Sequence, residues 1–277
     1  MEISVGCKLR YTLSKPTAFV FQIEAAKADS QIVRSESLRL PGARYDAYAD
    51  PVTMTRKARA LLDGGQVEVT YEATVDVDAS AFDPTEVSEF DFANLPMAYL
   101  EYLAPSRYCP SDTFTQFAHQ TFGGLARGHT RVTAICNWIF DHIRYQAGST
   151  GPSSNASEVF QAGAGVCRDF AHLGISLSRA LGIPARYASV YADGLVPQDF
   201  HAVFQAYLDG PKGGEWFSFD ATRMSSVDSL VRIAAGRDAA DVAFAWPQGD
   251  VTFEAPEVWV KAHDRQKNSR TTLAVSS

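Results

Sequence analysis

The feature that most constrains the fold is a strict alternation of apolar and polar side chains along residues 65–77. Valine, tyrosine and alanine occupy every second position, and glutamine, glutamate, threonine and aspartate lie between them. This period is typical of a β-strand with one face buried and one face in solvent. Residues 5–13 and 19–25 alternate similarly, and a turn at 63–65 predicts a hairpin between residues 55–62 and the strand that follows. The first hundred residues therefore predict a small antiparallel β-sandwich.

Helical periodicity replaces this alternation after residue 110. Apolar residues recur three or four positions apart in 111–122 and again in 130–143, which predicts two amphipathic helices. The segment 95–110 contains several prolines and indicates an irregular connector. We therefore expect an α+β protein with a β-rich N-terminal domain at 1–94, this connector, and a catalytic domain at 111–277.

Charge, apolar runs and cysteine content exclude several classes of protein. The formal net charge is −7, and the longest basic run is the pair Arg56 and Lys57, so we expect no nucleic-acid partner. No apolar stretch approaches about 18–20 residues and the first residues lack the order of a signal peptide, so we expect a cytoplasmic protein with no membrane partner. The four cysteines are too scattered for a disulfide framework. No CxxC or HxxxH pair predicts a metal site, and no motif implies a cofactor.

One cysteine lies where the pattern predicts the start of a helix. Gly163 and Gly165 allow a sharp turn just before Cys167. The apolar face of the helix that follows consists of Phe170, Gly174, Leu177 and Leu181. At a helix N-terminus, unpaired N–H groups and the helix dipole favour an anion, so they favour the thiolate of Cys167 and can bind an oxyanion. Burial in the core is expected for the other cysteines, Cys7, Cys109 and Cys136.

A histidine and an aspartate lie on two predicted strands downstream. Side chains alternate along 201–208, and His201 opens one of the two faces. The next strand ends at Asp220, and a turn containing glycine and proline joins the two. This hairpin brings Asp220 to His201, where a carboxylate can hold an imidazole and fix its tautomer. Trp216 shares a face with Asp220, and two roles stay open for it: binding substrate as a wall of the cleft, or filling the core.

Three strings around these residues, GVCRDFAH, FHAVFQAY and WFSFDAT, resemble the transglutaminase-like superfamily, specifically its bacterial branch of candidate cysteine proteases. The resemblance covers nearly the whole chain. It implies a papain-like α+β catalytic domain with Cys167 as nucleophile, His201 as acid and base, and Asp220 as orienting carboxylate, and it implies no calcium. Many relatives carry tryptophan and an acidic residue where this chain has Val203 and Gln205. These departures leave the wall of the cleft and its charge preference open.

The residues and the resemblance together predict a cysteine-dependent amide hydrolase or acyl transferase. It would act on a peptide or protein amide through a Cys-His-Asp triad and an acyl-thioester intermediate. Water as the acceptor gives a protease or a deamidase, and an amine gives a transglutaminase. We expect hydrolysis, because water is the default acceptor unless a site is built against it. Two alternatives stay open: a catalytically silent scaffold that binds peptides or partner proteins, and an N-terminal domain that presents the substrate. The sequence indicates no oligomeric state.

Overall fold

The computed structural model of the protein describes residues 1–42, 44–263 and 274–275. The strands of its N-terminal part are β1 (Glu2–Leu13), β2 (Thr17–Phe21), β3 (Gln31–Arg39), β4 (Tyr45–Ala49), β5 (Arg56–Leu62), β6 (Gly65–Val77) and β7 (Ala81–Phe82). In β6 the apolar side chains from Val69 to Val77 are buried at every second position, whereas Glu68 and Glu72 face solvent. The alternation of the sequence thus sets which face of this strand meets the core.

The chain after the connector alternates between helices and strands. The helices are α1 (Thr115–Phe122), α2 (His129–His142), α3 (Ala156–Ala162) and α4 (Cys167–Ala180). The strands are β8 (Arg144–Tyr145), β9 (Ala164–Gly165), β10 (Ala185–Ala192), β11 (Phe200–Gly210), β12 (Gly213–Phe219), β13 (Leu230–Gly236), β14 (Ala245–Pro247), β15 (Val251–Phe253), β16 (Glu257–Ala262) and β17 (Ala274–Val275). Short 3-10 helices lie at Pro84–Glu86, Phe92–Asn94, Met97–Leu103, Ser111–Phe114 and Val227–Ser229. Within the described ranges, no helix has the length and apolar character needed to cross a bilayer.

Two antiparallel sheets contain most of the N-terminal strands, in the orders β15-β1-β6-β3 and β14-β2-β5-β4. The predicted hairpin between residues 55–62 and 65–77 is wrong, because β5 pairs with β2 and β4 whereas β6 pairs with β1 and β3. The turn between β5 and β6 instead carries the chain from one sheet to the other. Gly65 adopts a φ of 109° in this turn, a conformation that favours glycine. Turn residues therefore mark where these strands end without specifying their neighbours.

A third antiparallel sheet, in the order β12-β11-β10-β13, packs against α4. The contact is close because Gly174 of α4 has no side chain: a Cβ there would lie 2.3 Å from the ring of Phe204 in β11. β11 and β12 form the hairpin that the sequence predicts, with Phe204 opposite Phe219. The opposite face of this sheet packs against the connector.

The N-terminal and C-terminal parts of the chain share one hydrophobic core. Tyr191 of β10 stacks on Tyr71 of β6 with 6.4 Å between ring centroids, and its hydroxyl donates to the carbonyl of Ile23 at 2.7 Å. Strands β14, β15 and β16 also return from the C-terminal part to pair with β1 and β2. The fold is therefore mixed α and β with several antiparallel sheets. The last strands of the segment 111–277 lie in the N-terminal sheets, and the division into two domains stays a prediction.

Candidate active site

Cys167 is the first residue of α4. The helix begins there because Val166 is extended and its carbonyl accepts the N–H groups of Asp169, at 2.8 Å, and Phe170, at 3.1 Å. The first N–H groups of a helix have no carbonyl partner within it and form its positive end. Cys167 is only partly buried. Its thiol is therefore accessible at a position that favours negative charge.

The other three cysteines are buried, as expected. Burial raises the pKa of Cys7 to about 11, which hydrogen bonding to Tyr191 only partly offsets. Burial also raises the pKa of Cys109 to about 12 and that of Cys136 well above 9.0. Thiols with such high pKa values are poor nucleophiles near neutral pH. Of the four cysteines, Cys167 is therefore the one best placed to act as a nucleophile.

The hairpin of β11 and β12 brings His201 and Asp220 together. Nε2 of the imidazole lies 3.0 Å from Oδ2 of the carboxylate. Both side chains are buried, with exposed fractions of 2% for His201 and 3% for Asp220. Because Nε2 binds Asp220, Nδ1 is the ring nitrogen left for Cys167. The structure thus brings three of the four predicted site residues into one cluster.

The pKa of His201 depends on both neighbours. Burial lowers it, but hydrogen bonds to Asp220 and Cys167 and the negative charges of these groups raise it from 6.5 to about 10. For Asp220, burial raises the pKa, but the hydrogen bond and charge of His201, with further bonds from Thr222, hold it below 3.8. At neutral pH the imidazole is therefore a cation and the carboxylate an anion. The sulfur of Cys167 faces a positive group as well as the helix N-terminus.

The carboxylate of Asp220 is surrounded by donors. Oδ1 accepts the N–H of Thr222 at 2.9 Å and its hydroxyl at 2.6 Å. Oδ2 accepts the N–H of Ser225 at 3.2 Å in addition to Nε2 of His201. An ionised carboxylate only accepts hydrogen bonds, so it satisfies all of these groups at once. They fix it in the orientation that holds the imidazole.

A second carboxylate, that of Asp169, organises the loop before α4. It is fully buried and accepts the Thr150 hydroxyl at 2.5 Å, the Val166 N–H at 2.9 Å and the Arg168 guanidinium at 3.0 Å. Arg168 also donates to the carbonyl of Gly151 at 2.8 Å. Sequence reasoning missed this contact, because an acidic residue in a first helical turn is equally explained by the helix dipole.

Tyr145 is a second residue that sequence reasoning missed. It lies in β8, which pairs in parallel with β9 immediately before Cys167. Its hydroxyl reaches the thiol and the backbone N–H of Cys167. A strand of two residues has no periodic pattern, so no sequence signal could have found this neighbour.

Trp216, the fourth predicted site residue, lies outside this cluster. Its side chain packs on Tyr102 of the connector, with 5.1 Å between ring centroids, and the guanidinium of Arg186 lies 4.0 Å from its ring centroid. It is opposite Tyr207 in the hairpin, on the face of the sheet that points away from α4. This position fits filling the core, and the role of Trp216 as a wall of the cleft stays a prediction.

No group of three His, Cys, Asp or Glu side chains is placed to hold a metal ion in the part of the chain that the structure describes. His172 of α4 is stacked between Tyr108 and Tyr187, and its Nε2 accepts the N–H of Ala239 at 3.2 Å. Burial lowers the pKa of His172 to about 3. It is therefore a neutral packing residue at physiological pH.

Comparison with known proteins places this arrangement in a family. A profile described as the Transglutaminase-like superfamily matches residues 115–221, which include Cys167, His201 and Asp220. A cysteine protease candidate from Cytophaga hutchinsonii, known from its crystal structure, is 35% identical, with 100% of this chain and 97% of that chain covered and a TM-score of 0.91. An uncharacterised protein of Mycobacterium leprae is 28% identical over 210 residues, 72% of this chain and 73% of that protein. An uncharacterised protein of Mycobacterium tuberculosis is 36% identical over 119 residues, 39% of this chain and 38% of that protein. The chain belongs to the transglutaminase-like superfamily.

Proposed function

We propose that the protein is a cysteine-dependent amide hydrolase or acyl transferase acting on a peptide or protein amide. The observation that carries this is the position of Cys167, at the N-terminus of α4 beside His201, whose imidazole binds the buried carboxylate of Asp220 at 3.0 Å. A nucleophile, an acid/base group and an orienting anion in this order form a catalytic triad. The similarity to a cysteine protease candidate supports the same function.

The first half-reaction forms an acyl-enzyme. The proton of the Cys167 thiol is held on the His201 imidazolium, and Sγ attacks the carbonyl carbon of the amide as a thiolate. The carbonyl π electrons move to oxygen, and the N–H of Cys167 at the helix N-terminus donates to this oxyanion. The C–N bond then breaks, His201 gives its proton to the leaving amine, and a thioester joins the acyl group to Sγ. Asp220 holds the imidazole in place throughout.

The second half-reaction transfers the acyl group to an acceptor. His201 takes a proton from the acceptor, whose oxygen or nitrogen attacks the thioester carbonyl, and the thiol of Cys167 is released. Water as the acceptor yields a carboxylic acid, and a primary amine yields a new amide. Cys167 is only partly buried and the adjacent Tyr145 is 45% exposed, so water has access to the thioester. This access supports hydrolysis as the main reaction.

We also infer three features of its organisation. The N-terminal sheets form a β-sandwich. This is supported by a contact between the two sheets: the ring centroids of Tyr11 in β1 and Phe19 in β2 are 4.9 Å apart. The chain from residue 111 contains a papain-like catalytic unit. This is supported by the cysteine at the start of a helix, which faces a histidine on an antiparallel sheet. The protein works in the cytoplasm, where the four free cysteines stay reduced.

Thiol labelling tests the identity of the nucleophile. Cys167→Ala should abolish turnover and labelling by iodoacetamide near neutral pH, because the other cysteines are buried thiols. Cys136→Ala is the matched control, and it should change neither. Rapid labelling that survives Cys167→Ala would refute the assignment.

Product analysis tests the reaction. A peptide library is incubated with the wild-type protein, with and without an added primary amine, and analysed by mass spectrometry. Cleaved, deamidated or crosslinked peptides would identify a protease, a deamidase or a transglutaminase. Peptides that bind the protein but never change in mass would contradict an enzyme and favour the silent scaffold.

A further inference from the structure

The backbone holds Tyr145 beside the start of α4. β8 and β9 pair in parallel, with Tyr145 next to Gly165. The flanking hydrogen bonds, from the N–H of Arg144 to the carbonyl of Gly163 and from the N–H of Gln146 to the carbonyl of Gly165, are both 2.9 Å long. Tyr145 is therefore fixed by main-chain pairing just before the nucleophile, and its position does not depend on a flexible loop.

The side chain of Tyr145 extends along the first turn of the helix. Its ring lies 5.8 Å from that of Phe170, measured between centroids, and the side chain is half exposed. Its hydroxyl is within hydrogen-bonding reach of both the backbone N–H and the thiol of Cys167. The hydroxyl thus lies next to the place that a carbonyl oxygen takes when Sγ attacks the carbonyl carbon.

We propose that the hydroxyl of Tyr145 is a catalytic hydrogen-bond donor to the oxyanion, acting together with the N–H of Cys167. This inference rests on the proposed function and adds a fourth residue to its machinery. The O–H group donates while the carbonyl π electrons shift to oxygen, and the donation ends when the C–N bond breaks and the carbonyl reforms. No proton is transferred from Tyr145, because His201 supplies the proton for the leaving amine.

The protonation state of Tyr145 agrees with a donor. Burial, followed by the negative charge of Cys167, raises the pKa of its hydroxyl to about 12. The group therefore keeps its proton across the neutral range, as a donor must. A tyrosine that served as a base would need a lowered pKa.

Two reagents separate oxyanion stabilisation from the reactivity of the thiol. p-Nitrophenyl acetate acylates Cys167 through a tetrahedral oxyanion and releases p-nitrophenol. Iodoacetamide alkylates the same sulfur by displacing iodide, with no attack on a carbonyl. Tyr145→Phe removes the hydroxyl and keeps the ring, and Tyr48→Phe, at an exposed tyrosine of β4, is the matched control.

We expect Tyr145→Phe to slow acylation about 100-fold, the usual loss when one oxyanion donor is removed. Alkylation should slow much less than acylation, because His201 and the helix N-terminus still favour the thiolate, and this reaction also shows that the variant is folded. Acylation at the wild-type rate, or acylation and alkylation that fall together, would overturn the role of Tyr145 and leave the nucleophile assignment standing. Failure of both reagents to modify Cys167 in the wild-type protein would overturn the proposed function and this inference with it.

Discussion

Asp220→Asn tests whether a negative charge, beyond a hydrogen bond, is needed to hold His201. The carboxylate accepts from the ring of His201, from the N–H and hydroxyl of Thr222 and from the N–H of Ser225. Asparagine replaces one acceptor oxygen by an NH2 group, and either orientation of the amide turns this NH2 toward an N–H donor. At least one buried donor then loses its partner. If the NH2 faces His201, the imidazole is held in the wrong tautomer.

The rise in the pKa of His201 from 6.5 to about 10 sets the size of the effect. At about 1.4 kcal/mol for a tenfold change, it corresponds to about 5 kcal/mol in favour of the imidazolium, shared between Asp220 and Cys167. Burial lowers the pKa of His201, and the charge of Asp220 counteracts this effect. Without that charge, the pKa of His201 falls. We expect turnover to drop about 10³–10⁴-fold. Alkylation of Cys167 near pH 6 should slow about tenfold or more, because the cation that favours the thiolate is lost.

Alkylation rates and urea unfolding, each measured from about pH 5 to about pH 10, test this reasoning. A histidine with a raised pKa stabilises the folded state fully below the unfolded-state pKa, and this contribution is lost as the pH rises through the folded-state value. For His201 the window runs from 6.5 to about 10. The stability advantage of the wild-type protein over Asp220→Asn should therefore shrink there, by at most about 1.4 kcal/mol per pH unit. Wild-type turnover and an unchanged alkylation profile in the variant would refute the need for charge.

Three further variants test other parts of the site. His201→Ala should slow alkylation of Cys167 near neutral pH by about tenfold or more, because it removes the neighbouring cation; an unchanged rate would mean that no thiolate–imidazolium pair forms. Gly174→Ala should destabilise the protein by about 1–3 kcal/mol, since a Cβ would lie 2.3 Å from the Phe204 ring, and a melting temperature equal to that of the wild-type protein would contradict this packing. Asp169→Asn should leave a buried donor unpaired, at a cost of about 1–3 kcal/mol. It should also speed proteolysis of the loop before α4. Equal cleavage rates in the variant and the wild-type protein would argue that the carboxylate does not hold this loop in place.

The contacts that the sequence predicts correctly are the local ones. The alternation along β11 and the turn before β12 specify a hairpin, and the hairpin brings Asp220 to His201. The glycines before Cys167 and the apolar face after it likewise specify where α4 begins. Each of these features depends on residues close together in the chain, so its periodicity and turn chemistry are visible in the sequence.

The contacts that the sequence does not reveal join distant segments. β5 and β6 follow each other across a tight turn but belong to different sheets, since their partners are chosen by packing over the whole core. Tyr145 reaches Cys167 only because β8 pairs with β9, a contact of two residues with no sequence pattern. Trp216 alternates in phase with Asp220, yet only the packed connector shows that its ring lies against Tyr102.

The pairing of β16 with β1 has a consequence for how the protein is made. Ile3 pairs with Ala262 and Lys8 with Glu257, so β1 receives this neighbour from a segment that follows the candidate site residues in sequence. During synthesis, that edge of β1 has unpaired N–H and C=O groups while the ribosome adds the segment that contains Cys167, His201 and Asp220. Closing so long a loop is also slow compared with forming the local hairpin of the site. This edge of the N-terminal sheet is therefore completed only after the reactive thiol has been synthesised.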